Sequence, residues 1–348
     1  MSFDPNGVGI ANGNIFGFPV EENDADIVII PVPWDVTASY GKGTSRGPQA
    51  ILDASVQLDF YHPLLTEAYK TKVFMTPISK EWIDINDKLC LKSAEYINYL
   101  ESGQELNDNE ILLENVKDIN STQTALKNNL KERASNLIKQ GRIVAVLGGE
   151  HSTPLGLIEA LNDNYNSFGI LQIDAHADLR DTYEGFDQSH ASIMFNVLGS
   201  CKNVSKLVQV GIRDIAQSEV DIIESNDRLK TFFDWDIKNK LFNGKSWNDI
   251  VDEIISHLPD FIYISFDIDG LCPELCPNTG TPVAGGFKLE EINYLIFKCV
   301  SAGKKIIGFD LNEVAPGEND WDANVGARAL WNLICAAEKS RRFEKNEN

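Results

Sequence analysis

No uninterrupted apolar run in this 348-residue chain approaches the ~18 residues of a membrane-spanning helix, so insertion into a bilayer is not expected. The opening MSFDPNGVGI lacks both a basic n-region and an apolar h-region, and no signal peptide is expected there. Positive charge is scarce as well. Against 31 Lys+Arg stand 52 Asp+Glu, a formal charge of -21. Such a field repels phosphate backbones and speaks against nucleic-acid partners, while it attracts metal ions and small cationic substrates. The six cysteines (Cys90, Cys201, Cys272, Cys276, Cys299 and Cys335) are dispersed, which fits reduced thiols in a cytoplasm better than a disulfide framework. There is no internal repeat, no low-complexity tract and no interdomain linker. The reading is an N-terminal arm over residues 1–24, rich in Gly, Asn and Pro, followed by a single domain over residues 25–348.

What the chain does contain is an alternation of short apolar runs and helical patterns. The runs Ile27–Val32, Val73–Thr76, Ile143–Leu147, Phe168–Ile173, Leu207–Val210, Phe261–Phe266 and Ile306–Phe309 read as buried strands. Helices are expected over Pro48–Leu58, Glu110–Gln140, Thr153–Leu161, Asp214–Ser225, Leu289–Ala302 and Val325–Arg341. Strands alternating with helices predict an α/β fold, a mostly parallel sheet covered on both faces.

Four of these strands run into polar clusters. Ile143–Leu147 leads to Gly148, Gly149, Glu150, His151 and Ser152, and Phe168–Ile173 to Asp174, Ala175, His176, Ala177 and Asp178. Phe261–Phe266 leads to Asp267, Ile268 and Asp269, and Ile306–Phe309 to Asp310, Leu311, Asn312 and Glu313. The carboxyl ends of parallel strands share one edge of the sheet, where ligands bind, so these segments should meet in space. Alternate residues of an extended chain point the same way, so Asp174, His176 and Asp178 can face one point, and Asp267 and Asp269 repeat the device. With His151, the set is four carboxylates and two imidazoles, and it contains no thiolate. Oxygen-rich ligation of this kind suits Mn²⁺, or Ni²⁺, Co²⁺ or Fe²⁺, better than structural zinc. Four bare carboxylates would repel and take up protons. One divalent ion leaves a charge of about -2, whereas two neutralise the set, and a pair ~3.5–4 Å apart generates hydroxide near neutral pH.

G-G-E-H-S at Gly148–Ser152, D-A-H-A-D at Asp174–Asp178, S-F-D-I-D at Ser265–Asp269 and D-L-N-E-V at Asp310–Val314 resemble the four motifs of the ureohydrolase family, which comprises arginase, agmatinase, formimidoylglutamase and relatives. The similarity extends to P-V-P-W-D, G-K-G-T and R-G-P-Q-A-I between Pro31 and Ile51, and covers roughly residues 27–341. The resemblance implies a three-layer α/β/α sandwich, assembled into homotrimers or homohexamers. It implies one metal held by His151, Asp174, Asp178 and Asp267, and a second held by Asp174, His176, Asp267 and Asp269, with Asp174 and Asp267 bridging. Two departures stand out. Glu150 occupies a position where Asp is commoner, and Cys272 stands where the family usually has Asp, which puts the local loop in doubt.

The implied reaction is attack of a metal-bridging hydroxide on a guanidino carbon, releasing urea. Glu313 is expected to hold guanidinium N–H groups through two oxygens, and His190, in Ser189-His190-Ala191-Ser192, to shuttle a proton to the leaving amine. Arg180, Tyr183, Gly185 and Ser189-His190 resemble the agmatinase continuation of D-A-H-x-D. Agmatine, giving putrescine and urea, is therefore the first expected substrate, with manganese. The stretch Asn278–Pro282 and the segment Glu318–Asp322 also resemble guanidine hydrolases, so free guanidine with nickel is the alternative. Arginine, other guanidino acids or formimino compounds come next. A single-zinc deacetylase-like hydrolase and a non-enzymatic metal-binding protein are the readings from other classes.

Overall fold

The computed structural model describes residues 3–104, 106 and 109–346. Residues 1, 2, 347 and 348, which belong to the expected arm and domain, lie outside the described residues. Eight strands form one wholly parallel sheet: β1 (Ile27–Val32), β2 (Val73–Met75), β3 (Ile143–Gly148), β4 (Phe168–Ile173), β5 (Val204–Ile212), β6 (Leu229–Phe233), β7 (Phe261–Asp267) and β8 (Lys305–Asn312). Ten α-helices are present among the described residues: α1 (Gly47–Ser55), α2 (Lys80–Glu101), α3 (Glu110–Lys139), α4 (Leu155–Asn164), α5 (Ile193–Ser200), α6 (Gln217–Ser225), α7 (Asp234–Phe242), α8 (Trp247–Ser256), α9 (Leu289–Ser301) and α10 (Trp321–Asn346).

The layers follow from strand alternation. Ile27 and Ile29 of β1 face a core completed by α1, α7, α8, α9 and α10, while Val28 faces a second core completed by α2, α3, α4 and α5. With both faces covered, the central strands are mostly apolar, as buried parallel strands are. The result is a three-layer α/β/α sandwich, the fold that the motifs implied. Ile15, Phe16 and Phe18, within the arm, are buried in the first core, where Phe16 and Phe18 pack edge-on against Phe60 and Trp331. No described helix is long and apolar enough to cross a membrane.

Strand order is β2-β1-β3-β8-β7-β4-β5-β6. The four strands that carry polar clusters, β3, β8, β7 and β4, are consecutive neighbours at the centre of the sheet. Segments separated by up to a hundred and more residues in sequence therefore end side by side on one rim. All seven expected strands are present, with ends that differ by a few residues. The expected helices are present too, α6 beginning later than Asp214 and α10 earlier than Val325.

Candidate metal centre and active-site cavity

The first donor reaches the rim through glycines. Gly149 follows β3, and a Cβ there would lie 2.0 Å from the Trp34 carbonyl oxygen, so no larger residue fits this crossing. The turn delivers His151, which is fully buried. Its Nε2 stands 2.9 Å from Ser265 Oγ, which in turn donates to Asp310 Oδ1 at 3.1 Å. With the serine proton committed to Asp310, Nε2 donates to Ser265 Oγ and Nδ1 is the nitrogen turned toward the carboxylates. It lies 3.0 Å from Asp174 Oδ2, 2.9 Å from Asp178 Oδ2 and 3.3 Å from Asp267 Oδ2. Burial alone would lower the His151 pKa, but these three carboxylates raise it well above the usual imidazole range. Donors held ~2.1 Å from one ion at right angles stand about 3.0 Å apart, which is the spacing seen here.

A second set adjoins the first. His176 Nδ1 is 3.0 Å from Asp269 Oδ2 and 3.8 Å from Asp174 Oδ1. His151, Asp174 and Asp267 thus form one compact group of potential metal donors, and Asp174, His176 and Asp269 another. Asp174 belongs to both. Its Oδ1 accepts the His176 N–H at 2.7 Å and its Oδ2 accepts Gln172 Nε2–H at 2.8 Å, which leaves lone pairs turned toward each group.

The electrostatics of the bare cluster show why it suits cations. Burial and the neighbouring Asp269 raise the pKa of Asp174. Burial and Asp174 push Asp178 up to about 7, and burial with Asp269 and Asp174 lifts Asp267 well above the carboxylate range. Burial alone would lower His176, but the Asp269 charge carries it to about 11. Asp269 goes the other way: against its burial stand the charge and hydrogen bond of His176, the Ala175 N–H and the charge of Arg213, which together lower its pKa. Protons thus occupy the cluster where positive charge is needed. A His151 Nδ1 turned toward three carboxylates and an oxygen-rich set with two imidazoles fit divalent ions.

Two local details differ from an extended-chain picture. Strand β4 ends at Ile173 and the chain bends at Ala175 before His176 bridges Asp214, and Asp178 is itself a left-handed residue at φ 54°. Asp269 lies in a single 3-10 turn, Ile268–Gly270, after β7, with its N–H donated to Asp267 Oδ1 at 2.9 Å. Period-two alternation therefore does not place these two carboxylates. A left-handed residue at Asp178 and the 3-10 turn at Asp269 do.

Beside the cluster opens a cavity of about 180 Å³ whose walls include Ser39, His176, Asp178, His190, Asp214 and Thr281. His190 begins a 3-10 turn ahead of α5. Its Nε2 lies 3.5 Å from Ser39 Oγ, and its Nδ1 is buried without a partner. Burial, with the charges of His176 and Lys42, lowers its pKa to about 3, so the ring is neutral. Glu313 does not line this cavity. It sits behind His151 at φ 63°, with Oε1 accepting the His151 N–H at 2.9 Å and its own N–H bound to the Gly149 carbonyl at 2.8 Å. Burial and the charge of Glu150 raise its pKa well above the usual range. Glu150, itself buried and pushed to about 7, accepts Thr37 N–H and Oγ1–H and Ser152 Oγ–H, tying the β1 loop to the His151 turn.

Several residues at the site carried no role in the sequence: Ser265, Asp310, Gln172, Gln209, Ser39, Asp214 and Thr281. Gln172, Gln209 and Ser265 had a readable signal, since each is a polar residue inside an expected strand that must be buried on both faces, whereas Asp310 was read as part of the cluster after its strand. Ser39, Asp214 and Thr281 lie in loops, and of the three only Thr281 falls in a stretch that a resemblance had singled out, Asn278–Pro282.

The parallel α/β/α sandwich carries, on the rim of its central strands, two adjoining groups of Asp and His that could each hold a metal ion. Residues 25–336 match the arginase family, and the chain belongs to it. It is 29% identical over 295 residues to the N(1)-aminopropylagmatine ureohydrolase of Synechocystis sp., covering 84% of this chain and 82% of that protein. It is 27% identical over 301 residues to the agmatinase of Bacillus anthracis, covering 84% of each. The fold is similar to the crystal structure of agmatine ureohydrolase of Thermoplasma volcanium, with a TM-score of 0.71 at 21% identity over 95% of this chain and 96% of that one. The chain is therefore a hydrolase acting on C–N bonds in linear amidines, and its family implies a binuclear divalent centre.

Proposed function

We propose that this chain hydrolyses the guanidino C–N bond of a small cationic compound to release urea, with agmatine as the first substrate. The observation that carries the reading is the pair of adjoining donor groups sharing Asp174 beside a cavity that His190 also lines. On this reading His151, Asp174, Asp178 and Asp267 hold one divalent ion, and Asp174, His176, Asp267 and Asp269 hold the other. Mn²⁺ is the first choice and Ni²⁺ the alternative. When bound, such a pair supplies a deprotonated water at neutral pH and stabilises charge on the reacting carbon. A lone zinc site leaves the second group without a purpose.

The remaining steps belong to the protein. His190, a buried neutral imidazole in the cavity wall, is the group placed to pass a proton to the departing amine. Ser39 Oγ, within 3.5 Å, can orient the ring. Glu313 lies outside this cavity with Oε1 engaged by the His151 N–H, so a guanidinium would reach it through Oε2 alone. At the cavity wall Asp214 is exposed, and no hydrogen bond or ion pair involves its carboxylate, which suits it to receive a distal ammonium. Agmatine has such a group, and so would an aminopropyl derivative.

Free guanidine is the second reading. The cavity, at about 180 Å³, falls below the ~300–1,000 Å³ of sites that enclose drug-sized ligands. The same proposal takes the protein as a cytoplasmic homotrimer or homohexamer, supported by its unpaired cysteines and its family.

The test is urea release from agmatine, N(1)-aminopropylagmatine, guanidine, arginine and guanidinobutyrate, each with Mn²⁺ and with Ni²⁺. Asp214→Asn is assayed beside the wild type. The expected outcome is turnover of agmatine with Mn²⁺, and a KM for agmatine raised about tenfold in Asp214→Asn, the worth of one charge-assisted contact. Turnover confined to guanidine, unchanged by Asp214→Asn, selects the second reading. Absence of urea from every compound with both metals rejects both.

A further inference from the structure

Beneath the candidate metal groups a row of polar side chains crosses the otherwise apolar sheet. Thr231 on β6 is in register with Gln209 on β5, and Gln209 with Gln172 on β4. Gln172 and Gln209 are fully buried. Thr231 Oγ1 donates to Gln209 Oε1 at 2.7 Å, Gln209 Nε2 donates to Gln172 Oε1 at 2.8 Å, and Gln172 Nε2 donates to Asp174 Oδ2 at 2.8 Å. Two backbone carbonyls fix the direction of both amides. Ala177 O faces Gln209 Nε2 at 2.8 Å and His176 O faces Gln172 Nε2 at 3.2 Å. A carbonyl can only accept, so the atoms facing it are NH₂ groups, and the reverse orientation of either glutamine is excluded. Every donor in the row consequently points the same way, from the outer strand toward the Asp174 carboxylate.

Burying two primary amides in a sheet core costs free energy unless each hydrogen-bonding atom is matched. Here both protons and the oxygen of each amide are used. Hydrogen bonds in series also polarise one another, which strengthens the last N–H of the chain. That last N–H meets the oxygen of Asp174 that lies 3.0 Å from His151 Nδ1, while the His176 N–H holds the other oxygen at 2.7 Å. The two contacts fix the rotation of a carboxylate that must turn one oxygen toward each donor group.

We propose that the Thr231–Gln209–Gln172 row is a positioning device for Asp174, which locks the carboxylate in its bridging orientation and tunes its hold on the ions. These residues act through Asp174 and touch neither substrate nor metal. Edge strand β6 thereby contributes to metal affinity although it supplies no ligand. The inference rests on the binuclear reading proposed above.

The experiment titrates metal-stripped protein with Mn²⁺ by calorimetry and counts bound ions after dialysis. Wild type is compared with Gln172→Leu, Gln209→Leu, Thr231→Val and Thr231→Ser, and thermal unfolding is recorded for each. Loss of a group that orients a ligand weakens metal binding ~10–100-fold. Gln172→Leu is expected in that range for at least one ion, Gln209→Leu near ~10-fold, and Thr231→Val less, with Thr231→Ser restored to wild-type affinity. Folded variants that bind two ions as tightly as wild type overturn the proposal, as does a drop in unfolding temperature without a change in affinity. If the glutamine variants do not fold, the threonine pair decides, and Thr231→Val with wild-type affinity overturns it. A wild type that binds no Mn²⁺ or Ni²⁺ instead brings down the binuclear reading, and this role with it.

Discussion

Two hollows in this molecule differ in the opposite sense from what their sizes suggest. The larger, about 740 Å³, lies between the loop around Tyr61–Leu64 and helices α9 and α10. Its walls include the side chains of Tyr61, Tyr294 and Phe297. Its one histidine, His62, is fully matched: stacked on Phe297 at 4.6 Å, Nε2 against Asn332 Oδ1 at 3.2 Å, Nδ1 accepting the Leu64 N–H at 3.2 Å. The smaller hollow, at about 180 Å³, holds His176, Asp178 and His190, and the last of these has a buried nitrogen without a partner. Volume records where side chains fail to fill space. Unmatched buried polar atoms occur at both hollows, Asn293 Oδ1 and Trp331 Nε1 at the large one, so the mark of chemistry is titratable groups crowded with like charge, which packing alone never favours.

The largest effect expected from this contrast comes from Asp174, which serves both donor groups. Asp174→Ala should lower kcat/KM by more than ~10³-fold, since losing a metal-generated nucleophile costs several kcal/mol. Bound Mn²⁺ should fall below two ions per chain. The variant should still unfold cooperatively, as the two apolar cores flanking the sheet are untouched. Atomic absorption on purified protein, paired with the urea assay, reads both. Two ions retained at full activity would remove Asp174 from the centre.

How legible this centre was depends on which physical signal placed each residue. The strands ending at Leu147, Ile173, Phe266 and Phe309 are short β-branched and aromatic runs, and parallel topology then brings their ends to one rim. That much follows from pattern. Strand β6 was missed because Leu229–Phe233 is a half-buried edge with a lysine and a threonine. Helix α2 was missed because its apolar positions are diluted by charge, and α7 because Trp235 and Phe242 face solvent instead of the core. Asp174 and His151 were placed by strand ends. Asp178 and Asp269 come into range through a left-handed residue and a 3-10 turn, whose geometry tertiary contacts set. Gln172 and Gln209 were visible as polar residues in buried strands, but their contact with each other joins two strands, and no spacing within one segment reveals it.

A smaller effect is expected at His190, which shares the cavity but belongs to neither donor group. His190→Ala should keep the wild-type metal content and lose about 10²–10³ in kcat, the worth of a positioned proton carrier. Added imidazole should restore part of the rate, because the truncation opens space beside Ser39. Wild-type kcat across the pH range would exclude His190 as the carrier, and loss of an ion would recast it as a structural support of the centre.

The smallest effect belongs to His62, in the large groove, and it tests whether that groove is silent. Burial, the largest influence, lowers the His62 pKa, and the nearby Lys339 adds to the shift against the hydrogen bond with Asn332. In the unfolded chain the ring takes up a proton as pH falls through about 6.5, whereas in the folded protein it stays neutral to lower pH. The unfolded state then binds more protons, so His62 contributes stability above pH 6.5 that is lost as pH falls below it. His62→Phe keeps the stack on Phe297 and removes the titrating group. Its Tm should therefore decline less steeply than wild type between pH 7 and pH 5, while urea release at neutral pH stays within about twofold, as expected of a substitution remote from the site. Equal slopes would show that His62 does not carry this pH dependence. A marked loss of activity would mean that the groove and the metal centre communicate, and the division between a silent large hollow and a reactive small one would have to be redrawn.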